Sequence, residues 1–70
     1  MIGTNILRAR TRLGINQTEL AKRTKLTPAA IWGYEHGKRE PNAQSLISLS
    51  KALGCSTDYI LGLRKEASNA

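Results

Sequence analysis

The stretch Asn16-Gln17-Thr18-Glu19-Leu20-Ala21-Lys22-Arg23-Thr24-Lys25-Leu26-Thr27-Pro28-Ala29-Ala30-Ile31-Trp32-Gly33-Tyr34-Glu35 contains two helix-start signals with room between them for only a tight turn. Asn16 offers a side-chain oxygen to the free amides of a first helical turn, and Glu19 is placed to reach back and complete a capping box. Thr27 repeats the signal. Pro28 then takes the first helical position, where its fixed φ suits the helix and its missing N–H would have had no partner. Two short helices therefore start at Gln17 and Pro28.

The apolar spacing predicts how this pair packs. Leu20, Ala21 and Thr24 share one face of the first helix, Ala30, Ile31 and Tyr34 share one face of the second, and Leu26 plugs the turn. A second stripe, Ala29, Trp32, Gly33 and His36, points away from that core by the same periodicity. This outward stripe is where function is to be sought.

Working outward, residues 3–13 read as a preceding helix with Ile6, Arg10 and Leu13 on one stripe and Gly14 as its stop. Gly37 closes the helix that starts at Pro28, and Gly37-Lys38-Arg39-Glu40-Pro41-Asn42 is a loop by composition. Asn42 caps a fourth helix whose apolar positions are Leu46, Ile47, Leu49 and Leu53, ended by Gly54. Ser56 caps a short fifth helix, with Asp58 near its positive end and Tyr59, Ile60 and Leu61 supplying apolar surface. Residues 64–70 are polar and are expected to fray.

Seventy residues make one small domain, near the lower limit for a core that holds without disulfides or metal. The single cysteine, Cys55, lies among apolar residues and reads as a small core residue; no Cys/His cluster has zinc spacing. No apolar run approaches the ~18 residues of a membrane span, and Arg8, Arg10 and Arg12 interrupt the place a signal peptide would occupy, so a cytoplasmic protein is expected. The formal charge is +6, and residues 1–39 hold eight Lys/Arg against Glu19 and Glu35, so the whole excess surrounds the helix pair. Charge alone leaves nucleic acid, an acidic protein and an anionic membrane open. A membrane surface fits poorly, because these charges are spread over short capped helices and a loop rather than one long basic face.

Three segments carry a closer likeness: Asn16-Gln17-x-x-Leu20-Ala21, Ile31-x-x-Tyr34-Glu35-x-Gly37-Lys38-Arg39-x-Pro41, and Leu53-Gly54-Cys55-Ser56-Thr57-Asp58-Tyr59-Ile60-Leu61. In this order and spacing they resemble the Cro and phage-repressor-like (XRE) family of helix-turn-helix DNA-binding domains, over about residues 2–63. The resemblance implies an all-α, lambda-repressor-like domain of five short helices over residues 1–63, with a short polar tail at 64–70. Helices 2 and 3 would form the helix-turn-helix, with the third entering the major groove of double-stranded DNA, usually as a homodimer.

The same resemblance implies residue roles. Gln17, and Asn16 beside its capping work, correspond to positions that bond the DNA backbone. Lys38 and Arg39 are expected on flanking phosphates, with Lys22, Arg23 and Lys25 contributing one or two contacts at most. Arg10 looks like the first-helix arginine that some members hold with a glutamate, here Glu35, while it faces a phosphate. Pro28, Ala29 and Gly33 depart from the phage examples, which often place polar readers there. Thr27 offers one hydrogen bond, and its methyl, the Ala29 methyl and the Trp32 ring can touch thymine methyls, so recognition leans on DNA shape. Gly33 suits close approach of DNA or a neighbouring ring; Tyr34 reads as core, and His36 as a helix-end cap or a phosphate contact.

Catalysis is not expected: there is no nucleophile–base constellation, paired-carboxylate motif or glycine phosphate cradle, and no cofactor or metal is implied. The leading expectation is a sequence-specific transcriptional regulator, a repressor acting as a homodimer through surfaces near Thr57–Leu61 on a palindromic operator. A restriction-modification controller has the same architecture. A protein-interaction module, for example an antitoxin with autoregulatory DNA binding, is the alternative from a different class.

Overall fold

Side-chain caps set four of the five helix starts in the computed structural model, which describes residues 1–65. The helices are α1 (Ile2–Leu13), α2 (Gln17–Thr24), α3 (Pro28–Glu35), α4 (Ala43–Leu53) and α5 (Thr57–Leu61), with no strand among the described residues. The backbone N–H of Glu19 donates to Asn16 Oδ1 at 2.8 Å, that of Ala30 to Thr27 Oγ1 at 3.1 Å, that of Ser45 to Asn42 Oδ1 at 2.8 Å and that of Tyr59 to Ser56 Oγ at 3.0 Å. Each such cap contributes about 0.5–2 kcal/mol. The reciprocal half of the capping box at Asn16 gives way to a stronger partner: Glu19 turns its carboxylate to Arg23 Nε at 2.9 Å, one turn along α2.

The turn between α2 and α3 closes on Lys25, a non-glycine residue in the left-handed region at φ 59°. Its cost is offset because the Lys25 N–H reaches Lys22 O, the Leu26 N–H reaches Ala21 O at 3.0 Å, and Leu26 drops half-buried onto the core.

α1 lies against α3, α4 and α5, and α2 packs on α3 and α4. Ile6, Leu20, Ile31, Leu49, Cys55 and Ile60 are fully enclosed at the centre, each large aliphatic among them contributing roughly 1.5–3 kcal/mol by leaving water. Tyr34 and the apolar faces predicted for α2 and α3 are buried as expected, and Cys55 is a core residue. Burial pushes its thiol pKa up, with Arg12 opposing weakly.

Three of the apolar positions read from the periodicity are exposed instead: Leu13, Ile47 and Leu61. At the end of α1 the Gly14 turn folds Ile15 back so that its N–H meets Arg10 O, and Ile15 covers the core there in place of Leu13. α4 faces the core along Leu46, Leu49 and Leu53 with the small Ser45, which leaves Ile47 off that stripe. α5 is only five residues long, and Tyr59 and Ile60 use its buried side.

Asn5 was not singled out by its sequence context, yet it joins the two ends of the fold. Its buried amide donates from Nδ2 to Tyr59 O at 3.0 Å and to Ile60 O at 3.3 Å, satisfying carbonyls at the end of α5. The tail expected at 64–70 lies outside the described residues from residue 66 onward.

Candidate nucleic-acid interface

α3 is apolar nearly all round, because its eight residues are Pro-Ala-Ala-Ile-Trp-Gly-Tyr-Glu. One side, Ala30, Ile31 and Tyr34, packs on α1 and α2, and the opposite side exposes Pro28, Ala29, Trp32 and His36. Trp32 is 46% exposed and stacks on His36, with ring centroids 3.9 Å apart and planes 15° from parallel. His36 Nδ1 lies 2.9 Å from Trp32 O; a carbonyl only accepts, so Nδ1 carries a proton and donates it. The two stacked rings make a flat slab at the C-terminal end of the outward face. Thr27, exposed at the other end, accepts the cap from Ala30 N and keeps its hydroxyl hydrogen free to donate.

Gly33 is the correction on this helix. It is buried rather than outward: the stem of Arg39 runs across it, and a methyl at position 33 would sit 2.7 Å from Arg39 Cδ and 2.9 Å from Cγ. The roughly 1 kcal/mol that glycine costs inside a helix is thus explained by a neighbouring side chain of the same protein. The loop that brings Arg39 there is tied to α3, since Gly33 O accepts from Lys38 N at 2.8 Å and from Arg39 N at 3.2 Å while Gly37 takes a left-handed φ of 71°. Lys38 and Arg39 are both exposed.

Behind this face one carboxylate gathers three helices. Arg10 of α1 donates from Nε to Glu35 Oε2 at 2.6 Å and from Nη2 to Oε1 at 3.0 Å, and its Nη1 donates to Ile15 O at 3.0 Å. The pairing expected of Arg10 and Glu35 is present. Gln17, at the first position of α2, donates from Nε2 to the same Oε1 at 2.9 Å. The Glu35 side chain is 2% exposed and that of Arg10 15%, so removal of either strands a charge in a poorly hydrated place. The hydrogen bond to Glu35 raises the Arg10 pKa above its already high ordinary value, burial acting against it.

Sequence reasoning names Gln17 for a backbone contact and does not reach this partnership, because the residues stand far apart in the chain and no local pattern links them. One amide hydrogen of Gln17 remains available after the bond to Glu35. Asn16 is exposed and spends one side-chain lone pair on its cap. Lys22 and Arg23 of α2 and Lys25 of the turn after it are all exposed, and Arg23 is engaged by Glu19. Among the described residues no group of His, Cys, Asp and Glu is arranged to hold a metal ion.

The helix-turn-helix family model matches residues 6–60. The repressor protein C2 of Salmonella phage P22 is 41% identical over 61 residues, which are 87% of this chain and 28% of that protein. The transcriptional regulator DicA of Escherichia coli K12 is 38% identical over 60 residues, 86% of this chain and 44% of the relative. The SPbeta prophage-derived regulator YonR of Bacillus subtilis is 38% identical over 61 residues, 87% of this chain and 56% of that protein. This chain therefore spans well under two thirds of the length of these relatives.

Among solved structures, the P22 c2 repressor crystallised with a synthetic operator in the presence of Tl+ superposes with a TM-score of 0.87 at 39% identity, covering 91% of this chain and 97% of that one. The solution structure of the P22 c2 DNA-binding domain gives a TM-score of 0.85 at 38% identity, covering 94% and 90%. With five helices in the same arrangement and a family match across nearly all of them, the chain belongs to the Cro and phage-repressor-like (XRE) helix-turn-helix family.

Proposed function

We propose that this chain binds double-stranded DNA sequence-specifically and regulates transcription, as a repressor that acts by occupying its operator. The observation that carries the reading is a convergence at the C-terminal end of α3. The start of α2 arrives there through Gln17 on Glu35, and the Lys38–Arg39 loop arrives through Gly33 O, flanking an exposed face that has no structural work inside the fold. Cations and a free amide beside a slender outward helix are what groove insertion with phosphate neutralisation requires.

In this reading α3 enters the major groove and a homodimer spans a palindromic site. Asn16, Gln17, Lys38 and Arg39 meet phosphates, and Arg10 faces one while held by Glu35. Thr27 supplies a single hydrogen bond, and Pro28, Ala29 and Trp32 meet the groove wall and thymine methyls. With so few donors on α3, base reading is methyl contact and the remainder is shape. Exposed Leu61 and Leu63, the latter 73% exposed, support the subunit contact near Thr57–Leu61. The domain proper is residues 1–63, the compartment is the cytoplasm, and no described helix is long and apolar enough to cross a membrane.

The test is selection of bound fragments from a random DNA library at near-physiological salt with excess competitor. A two-fold symmetric motif with half-sites ~34 Å apart is the expected result. A folded protein that enriches no motif refutes the regulator and favours the protein-interaction reading, for which exposed Trp32 is the available surface.

A further inference from the structure

Gly33 is a helix-weakening residue in mid-helix, buried although it sits on the side of α3 that periodicity turns outward. What buries it is specific. Cβ, Cγ and Cδ of Arg39 all lie within 3.4 Å of where a methyl on Gly33 would be. The Arg39 backbone is anchored to Gly33 O, so the stem starts beside α3 and runs across it at the one position lacking a side chain. Among the described residues nothing engages the Arg39 guanidinium by a hydrogen bond or ion pair, in contrast to Arg10 and Arg23.

We propose that Gly33 is a seat for the Arg39 side chain, a positioning residue that fixes where the Arg39 guanidinium meets a DNA phosphate; this rests on the DNA-binding reading above. A loop arginine normally has several rotamers to lose on making a contact. An arginine whose stem already lies in a groove has fewer to lose, and its planar fork arrives oriented. Alanine at position 33 does not break the helix, since it is the better helix former. It lifts the stem off α3, because methylenes can move where backbone cannot, and the guanidinium moves with it.

The experiment is a double-mutant cycle on the full chain with Gly33→Ala, Arg39→Ala and both together, plus Arg39→Met, which keeps the stem and removes the charge. Affinity for a mixed-sequence duplex of about two helical turns, ~20 bp, is measured over a salt series, and each variant's thermal midpoint by circular dichroism. Arg39→Ala lowers affinity about tenfold and reduces the slope of log K against log salt by ~0.9, the value of one phosphate contact. Gly33→Ala moves both quantities the same way. In the R39A background it moves neither, and instead raises the midpoint by ~4–8 °C, because the stem no longer contests the space. In the R39M background the thermal gain is suppressed while the salt slope stays put.

The proposal is overturned if Gly33→Ala leaves affinity and slope at wild-type values, or reduces them equally with and without Arg39. Wild-type protein that binds no duplex at low salt refutes the DNA reading instead. The thermal cycle then decides the seat alone: a gain from Gly33→Ala that depends on Arg39 upholds it, and additive midpoints remove it.

Discussion

Replacing Glu35 with alanine is the sharpest test of how this fold presents its outward face. The substitution withdraws one carboxylate from three donors, Arg10 Nε at 2.6 Å, Arg10 Nη2 at 3.0 Å and Gln17 Nε2 at 2.9 Å. Breaking a buried ion pair from one side costs about 3–5 kcal/mol. The Arg10 side chain, 15% exposed, retains Ile15 O and some access to water, so the lower end applies, ~3 kcal/mol. A chain of 70 residues has on the order of 3.5–10 kcal/mol of stability in total, so this single change removes about a third of it or more.

At ~4–8 °C per kcal/mol the thermal midpoint falls by roughly 12–24 °C, measured by far-UV circular dichroism and cross-checked by urea titration. Arg10→Ala is expected to cost more than Glu35→Ala, because it strands the more enclosed partner: the Glu35 side chain is only 2% exposed. Gln17→Ala costs less than either, since it removes a neutral donor. A Glu35→Ala midpoint within about 4 °C of wild type, or strict additivity of Arg10→Ala and Glu35→Ala, would refute the view that this carboxylate holds α1, α2 and α3 together.

Other outcomes follow from individual contacts. Gly3→Ala puts a methyl against Tyr34 O and 2.8 Å from Glu35 O, backbone atoms that cannot swing aside, so a loss of about 1–3 kcal/mol is expected in urea unfolding; a neutral result would contradict the close α1–α3 approach. Asn42→Ala removes the cap of α4 and lowers stability by ~1 kcal/mol, whereas Asn42→Ser leaves it nearly intact. Cys55 is enclosed and its thiol pKa is raised by burial, so the stability it adds as a neutral thiol is full below the ordinary thiol range and is lost as pH rises through the raised value. Near neutral pH a thiol reagent should label it only after denaturant is added, and rapid labelling of the native protein would contradict its place in the core. Glu19 has its pKa lowered by the hydrogen bond from Arg23, so its small contribution is present above the ordinary carboxylate value and lost as pH falls through the lowered one. Both Glu19→Gln and molar salt should flatten that part of the acid-stability profile, and a profile indifferent to salt would argue against the pair.

Features that were legible in the sequence are those written within a few residues. Asn16, Thr27, Asn42 and Ser56 each cap the helix that follows, and each is recognisable without knowing what lies across the molecule. Pairing of Arg10 with Glu35 was reached through family resemblance, since no local rule links α1 to the end of α3. The misjudged features depend on chain that returns from elsewhere. Gly33 looks outward until the loop after Gly37 lays Arg39 across it, and nothing near Gln17 in the chain announces its bond to Glu35. Leu13 satisfies the helical period, but period alone does not show that Ile15 folds back to take its place. Lys25 gave no signal of its left-handed turn, because lysine is not a residue chosen for that conformation; the packing of Leu26 imposes it.

The amide of Asn5 acts as a clasp on the whole domain. It joins residues separated by more than fifty positions, whereas the caps and the α2–α3 turn close loops of only a few. Loop-closure entropy rises slowly with the length enclosed, so a clasp across 54 positions costs only ~0.6 kcal/mol more to close than the 25 positions between Arg10 and Glu35. Ile6 and Ile60 are fully enclosed beside the clasp, so the amides of α5 and of the start of α1 are expected to exchange with those of the core, and earlier exchange at both ends would show that the seam parts before the centre unfolds. A clasp that fastens α1 to α5 thereby also steadies α3, on whose last turn the start of α1 rests at Gly3.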